Sequence, residues 1–217
     1  MDLTEALYTT RAMRRVRPDP VPDDVVRAML DAAVRSPSGG NSQNWRFVFV
    51  TDGPTRHRLG ELYAEAWELL QSTVYAGRRE RAEAEGDGAT LRVLRSSQWL
   101  AEHFGEAPLV VLAYHRNDPS GASIYPAVWS LMLAARGHGV GCTLTTILGA
   151  FRQAEVGELL GVPLDKGWSN AAAVPCGYPA GRWGLAARKP AHEVAYVDRW
   201  EAPPPWTIDE PLFSPGS

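Results

Sequence analysis

Apolar positions recur along this chain with two different periods. The helical period is clearest in VPDDVVRAMLDAAVRS (residues 21–36), where Val25, Val26, Met29, Leu30 and Ala33 share one stripe. Asp23 and Asp24 suit the first turn of such a helix and Arg35 its last. RLGELYAEAWELLQS (58–72) is amphipathic in the same way and opens a helical region that runs to about Phe104. SIYPAVWSLMLAARGHG (123–139) is so apolar that it predicts a helix buried nearly all round, stopped by Gly137 and Gly139. FRQAEVGELLGVP (151–163) predicts a further helix with a Gly-Val-Pro stop, and residues 3–12 a short one. Runs rich in β-branched and aromatic residues predict strands at WRFVFVT (45–51), APLVVLAYH (107–115) and SNAAAVPCGYP (169–179). VGCTLTT (140–146) reads as strand or loop, and HEVAYV (192–197) is the remaining candidate strand.

Two stretches depart from these periods. GRRERAEAEGDGATLR (77–92) is charged, poor in large apolar residues and broken by glycines, and reads as an exposed excursion or lid around residues 70–100, with an ordinary solvated helix the other reading. EAPPPWTIDEPLFSPGS (201–217) is proline-rich and reads as an extended tail. With no repeat and no internal boundary, the pattern predicts one domain over residues 1–200 followed by that tail.

Composition narrows the class. The 217 residues are 45% hydrophobic and 22% charged, the balance of a soluble globular chain, and no apolar run nears the roughly 20 residues of a membrane span. MDLTEALYTTR carries acids where a signal peptide wants cations, so the expected compartment is the cytoplasm and no membrane partner is expected. A net charge of −3 argues against a nucleic-acid partner, and any anion site has to be built locally. The cations are nearly all arginine, Lys166 and Lys189 being the only lysines. Cys142 and Cys176 lie far apart in sequence and lack metal-ligand spacing, which predicts two buried, inert thiols. His57, His103, His115, His138 and His192 share no spacing that suggests a triad or a metal site.

Candidate chemistry concentrates in two stretches. TTRAMRRVRPDPVP places Arg11, Arg14, Arg15 and Arg17 within seven residues, and on a continuing helix Arg11, Arg14 and Arg15 would share a face able to clamp a phosphate. A solvated basic patch is the other reading of that run. SPSGGNSQNW (36–45) joins a helix to a strand with more glycine, hydroxyl and amide groups than a turn needs, which suggests a backbone that must approach something closely. Trp45 is expected to be the first core residue of the strand that follows.

Taken in order, Thr10-Arg11-Ala12-Met13-Arg14, Pro18-Asp19-Pro20-Val21-Pro22, and Ser36-Pro37-Ser38-Gly39-Gly40-Asn41-Ser42-Gln43-Asn44-Trp45-Arg46-Phe47 resemble the nitroreductase family of flavoproteins. That family carries an Arg-Arg-Ser-x-Arg type motif, then Pro-Val and a helix, then Ala-Pro-Ser-x-x-Asn-x-Gln-Pro-Trp-x-Phe. The resemblance continues through PAVWSLMLAARGHGVG, ELLGVP and a late Arg188-Lys189-Pro190. Thr10 stands where the family has its first Arg, Ala12 where it has Ser, and Asn44 where it has Pro.

The resemblance implies an α+β fold with a central, largely antiparallel sheet of four or five strands flanked by helices. It also implies an intertwined homodimer with FMN at the subunit interface, the long apolar helix contributing to that interface and a terminal segment wrapping the partner. Arg11 and Arg188 would hold the FMN phosphate, and Arg14 would face the N1 and O2 edge of the ring as the electrostatic catalytic residue. Pro37, Ser38, Gly39, Asn41 and Gln43 would border the ring bound by the other subunit, and Leu144, Thr145 and Thr146 would run past it. Read without the family, that last run is a plain buried strand. The implied activity is ping-pong transfer of hydride from NADH or NADPH through the flavin to a small flat acceptor such as a nitroaromatic or quinone. Tyr75, Trp99 and Phe104 are candidate lid aromatics, with ordinary packing the other reading. The same resemblance admits a flavin-dependent dehydrogenase, a dehalogenase or a flavin-fragmenting enzyme, and a flavin-binding module without turnover stands as the reading from another class.

Overall fold

The structure is a computed structural model that describes residues 1–213. The chain divides into two compact units. The larger, Ala12–Gly181, holds the whole sheet. Its strands are β1 (Trp45–Val50), β2 (Leu109–His115), β3 (Gly141–Cys142) and β4 (Ser169–Gly177), in the order β1-β2-β4-β3 with every pairing antiparallel. Its helices are α2 (Asp23–Ala33), α3 (Gly53–Ser72), α4 (Arg78–Ala84), α5 (Gly88–His103), α6 (Ile124–Gly137), α7 (Ile147–Phe151) and α8 (Gln153–Leu160). The α+β class and the four-stranded antiparallel sheet agree with the sequence expectation.

β2 reads as an unbroken apolar run because it is covered on both sides. Leu109, Val111 and Ala113 join the core beneath α2 and α6, with Met29, Trp45 and Leu131. Val110, Leu112 and Tyr114 point the other way, into the core beneath α3 and α7, with Leu62, Phe104 and Leu148. Trp45 is buried at the start of β1, as expected. Local chemistry sets the helix ends: Asp52 accepts from the Thr55 amide at 2.9 Å to start α3, and Asp87 accepts from the Ala89 and Thr90 amides to start α5. Gly60 lets α3 cross the turn at Gly105, since a Cβ there would sit 2.9 Å from the Gly105 nitrogen.

Two expectations change, and a third takes definite form. The charged excursion is mostly exposed and helical, forming α4 and α5, which capping and the burial of Ala82, Leu94, Leu100 and Ala101 hold in place. Phe104 lies in the core, 4.1 Å from Tyr63 in a parallel stack, and is no lid residue. HEVAYV is not a strand: residues 191–194 form a 3₁₀ turn and the segment joins no ladder.

The smaller unit comprises Met1–Arg11 and the described residues from Arg182 onward. It holds α1 (Leu3–Thr9), shorter than expected, which Asp2 caps through the Glu5 amide at 2.7 Å. Tyr8 packs on Phe213, and His192 Nδ1 accepts from the Ile208 amide at 3.1 Å. The last four residues of the proline-rich tail lie outside the described residues. No described helix is long and apolar enough to cross a membrane.

Candidate active site

The arginine run does not continue α1. The helix ends at Thr9, and residues 13–17 run extended beside β3 and the end of β4. The Met13 amide donates to the Cys142 carbonyl at 3.0 Å, the Arg17 amide to Tyr178 at 2.8 Å, and the Ala180 amide to Arg15 at 3.0 Å. The run is therefore not the helical face that its spacing suggested. Met13 is buried, Arg14 half-buried, and Arg15 and Arg17 exposed.

Arg14 occupies a small polar cluster. Its Nη1 donates to Ser96 Oγ of α5 at 3.4 Å, and it makes no salt bridge among the described residues. Burial holds the guanidinium below its usual pKa, partly offset by the nearby phenols of Tyr63 and Tyr75. The Tyr63 hydroxyl lies 3.1 Å from Thr145 Oγ1, and burial raises its pKa, opposed by Thr145 and by the charge on Arg14. Arg15, beside it, stacks over the Trp99 ring at 5.3 Å. Helix α5 therefore packs its Ser96 and Trp99 against Arg14 and Arg15.

Thr145 is held as a sheet residue, its amide donating to Ala173 at 3.0 Å and its carbonyl accepting from Ala173 at 2.8 Å. Any amide of this segment that meets a ligand is therefore that of Leu144 or Thr146. Leu144 is half-buried and Thr146 exposed at the start of α7. Just before them, Thr143 Oγ1 is buried without a hydrogen-bond partner.

The Pro37–Gln43 loop lies elsewhere in the same unit. Ser38 organises it, its Oγ accepting from the Gln43 amide at 3.2 Å and its carbonyl from the Asn41 amide at 2.9 Å. Gly40, Asn41 and Gln43 all have left-handed backbones, with φ of 57°, 53° and 49°. A Cβ added at Gly39 or Gly40 would meet nothing within 4 Å, so these glycines make no room for the chain itself. The loop borders a cleft of about 430 Å³ together with Asn117, Asp118 and Ser123. Asp118 closes the far side by accepting from the Ser123 and Ile124 amides at the start of α6.

In the smaller unit, Arg11 Nη2 donates to the Arg182 carbonyl at 2.9 Å, and Arg188 Nη1 to the carbonyl of its neighbour Ala187. Both side chains are exposed, and neither pairs with a carboxylate among the described residues.

Residues 7–178 match the nitroreductase family over most of the chain. The chain belongs to the nitroreductase family. This nitroreductase-family member is 30% identical to 5,6-dimethylbenzimidazole synthase of Rhodobacter capsulatus over 194 residues, covering 82% of the chain and 83% of that protein. It is also 30% identical to iodotyrosine deiodinase of Danio rerio over 118 residues, 52% of the chain but only 37% of that longer protein. Among solved structures, its fold resembles oxidized iodotyrosine deiodinase bound to FMN and 3-iodo-L-tyrosine, with a TM-score of 0.70 at 22% identity over 86% of this chain and 95% of that one.

Within this family member the predicted site residues fall into three places. Arg14 and Thr145 meet at Tyr63, with Leu144 and Thr146 beside Thr145. Pro37, Ser38, Gly39, Asn41 and Gln43 form the loop at the cleft, and Arg11 and Arg188 lie in the smaller unit. Sequence reasoning missed Tyr63 and Ser96. Tyr63 occupies an apolar position of an amphipathic helix and Ser96 a polar position of a charged one, so neither stands out from its periodicity. The histidines remain scattered, and the described residues contain no cluster able to hold a metal ion.

Proposed function

We propose that this protein is an FMN-dependent oxidoreductase that takes hydride from NADH or NADPH and delivers it to a small flat acceptor, a nitroaromatic or a quinone. The observation that carries the reading is Arg14: a half-buried guanidinium without a carboxylate partner, beside two phenols and a threonine hydroxyl. Such a cation suits the electron-rich edge of a planar ring that gains negative charge. When bound, FMN supplies the two-electron chemistry, and the side chains position it and set its electrostatics.

Three sets of residues fit that group. Arg11 and Arg188, which pair with no carboxylate among the described residues, match phosphate oxygens with planar forks that stay charged. Arg14 would hold the N1 and O2 edge, and the Leu144–Thr146 segment would lie along the ring. Pro37, Ser38, Gly39, Asn41 and Gln43 would border the ring held by a second copy, the bare backbone of Gly39 and Gly40 admitting close approach.

Exposed apolar side chains support the homodimer. Tyr125 and Trp129 emerge from the otherwise buried α6, each 38% exposed, where a soluble monomer would place polar groups. Val194, Trp200 and Leu212 are also exposed in the C-terminal segment, which suits a segment that wraps a second copy.

The test is an anaerobic visible spectrum of the purified protein before and after NADH or NADPH. A flavin spectrum that bleaches, then returns with a nitroaromatic or quinone, is the expected result. A flavin spectrum that never bleaches replaces the reading with a binding module or with a dehydrogenase reduced by its own substrate. A second reading, reductive dehalogenation, is favoured by the likeness to iodotyrosine deiodinase. It requires iodide release from 3-iodo-L-tyrosine, measured beside the nitroaromatic and the quinone.

A further inference from the structure

Cys142 and Cys176, thirty-four positions apart in sequence, face each other across the sheet. They are register partners in β3 and β4, with Sγ atoms 3.1 Å apart and both side chains in the core beneath α6. The neighbouring hydrogen bonds fix the kind of pair. Thr143 donates to Pro175, and Thr145 and Ala173 exchange both bonds, so those pairs are the hydrogen-bonded positions of the ladder. Cys142 and Cys176, one step along, form a non-hydrogen-bonded pair, the site where opposed side chains come closest, about 4.5 Å between Cα atoms. That separation lies within the range disulfides span, and the sulfurs need to close by only about 1 Å to reach bonding distance.

We propose that Cys142 and Cys176 are an oxidisable dithiol that closes to an intrachain disulfide in the folded protein under a peroxide. The chemistry balances in two steps. The Cys142 sulfur attacks one peroxide oxygen, becoming a sulfenic acid while the other oxygen leaves as water, or as an alcohol from an organic peroxide. The Cys176 sulfur then displaces the hydroxyl from that sulfenic sulfur, forming the S–S bond and releasing water. The pair loses two electrons and two protons, and the peroxide is reduced.

Cys142 is the first to react because its strand is two residues long and last in the sheet order, so it opens locally at the least cost, whereas Cys176 is fully buried in β4. Burial and the adjacent Cys142 sulfur push the Cys176 thiol up, which keeps that sulfur protonated in the absence of such an oxidant.

The disulfide would act on one defined place. The Cys142 carbonyl receives the Met13 amide, and Met13 precedes Arg14. Locking β3 to β4 therefore removes the local opening that would release the Arg14 segment at that end.

The test treats the full-length protein as purified with hydrogen peroxide, then unfolds it under non-reducing conditions for thiol counting and intact mass. The expected result is joint loss of both thiols, a mass lower by about 2 Da for the two hydrogens removed, and reversal by a thiol reductant. The oxidised protein should also melt about 5–10 °C higher and exchange the Met13 amide hydrogen about tenfold more slowly. Cys142→Ser and Cys176→Ala should each abolish the 2 Da loss. Two free thiols after treatment of the folded protein, when the same chain oxidises in denaturant, overturns the proposal. So does a lone sulfinic acid beside a free thiol, or a disulfide that leaves both melting and Met13 exchange unchanged.

Discussion

The Arg14 cluster and the Pro37–Gln43 loop are both proposed to border flavin, the loop that of a second copy, yet they are built in opposite ways. Around Arg14 the chain supplies partners to nearly every group: Ser96 to the guanidinium, Thr145 to Tyr63, Phe104 to its ring, and Ala173 to the backbone of Thr145. The loop bonds mainly to itself, holds three left-handed residues, and leaves the space beside Gly39 and Gly40 open. A region completed by its own fold needs no ligand to keep its shape. A strained, open loop keeps its shape through a few local bonds and gains its remaining contacts from whatever binds.

Substitutions can break or sharpen this contrast. The largest effect is expected for Tyr63→Ala, which removes the stack on Phe104 and the bond to Thr145 and should cost about 3–5 kcal/mol of stability in urea unfolding. A loss below about 1 kcal/mol would show that the cluster is not built as described. Next come Arg11→Ala and Arg188→Ala, each expected to weaken FMN retention by about 1.5–3 kcal/mol while leaving unfolding of the FMN-free chain nearly unchanged. Unchanged FMN dissociation constants in both variants would remove the phosphate assignment. Arg14→Ala should instead slow reduction by NADH or NADPH more than it loosens FMN, a split visible in stopped-flow and equilibrium binding.

In the loop, Gly40→Ala forces a side chain onto a backbone with φ of 57° and should cost about 1–2 kcal/mol. Gly39→Ala should leave stability within about 0.5 kcal/mol, since nothing lies near its Cβ, yet weaken FMN retention in the dimer. Equal effects of Gly39→Ala on stability and on FMN would erase the contrast.

The smallest expected effect is on pH dependence. Burial pushes the Tyr114 phenol up to about 12, and it raises Tyr63 as well. A phenol that holds its proton more tightly when folded contributes stability that is complete below the unfolded pKa of about 10 and lost as pH rises to about 12. Urea midpoints should therefore fall between about pH 10 and 12, and less steeply in Tyr114→Phe.

The sequence showed the sheet more plainly than the site. β2 and β4 stood out because burial on both faces leaves an apolar run, and β1 through its β-branched and aromatic residues. HEVAYV misled because an alternating β-branched pattern states a preference, not a partner: the segment finds no strand edge, and Val194 remains exposed. In the charged 77–92 stretch exposure was legible, whereas its helices rest on capping by Asp87 and a few buried contacts that composition does not display. At the site, Arg14 and the glycine loop were visible as motifs. Tyr63 was not, because its role depends on Thr145 lying opposite, a relation set by the fold. The two cysteines illustrate the same limit, separated in sequence and adjacent across β3 and β4.

The pairing of β1 with β2 has a further consequence for how the chain folds. Residues 51–108 lie between the two strands and contain α3, α4 and α5, so the first long ladder closes a very long loop. Closure entropy grows only with the logarithm of loop length, and helices that form early shorten the effective distance. Lengthening or trimming the α4–α5 hairpin should thus change the folding rate little, whereas mismatching the β1–β2 register should slow it strongly. Among the helical elements of the chain, this hairpin is where evolution or design can add or remove residues at low kinetic cost.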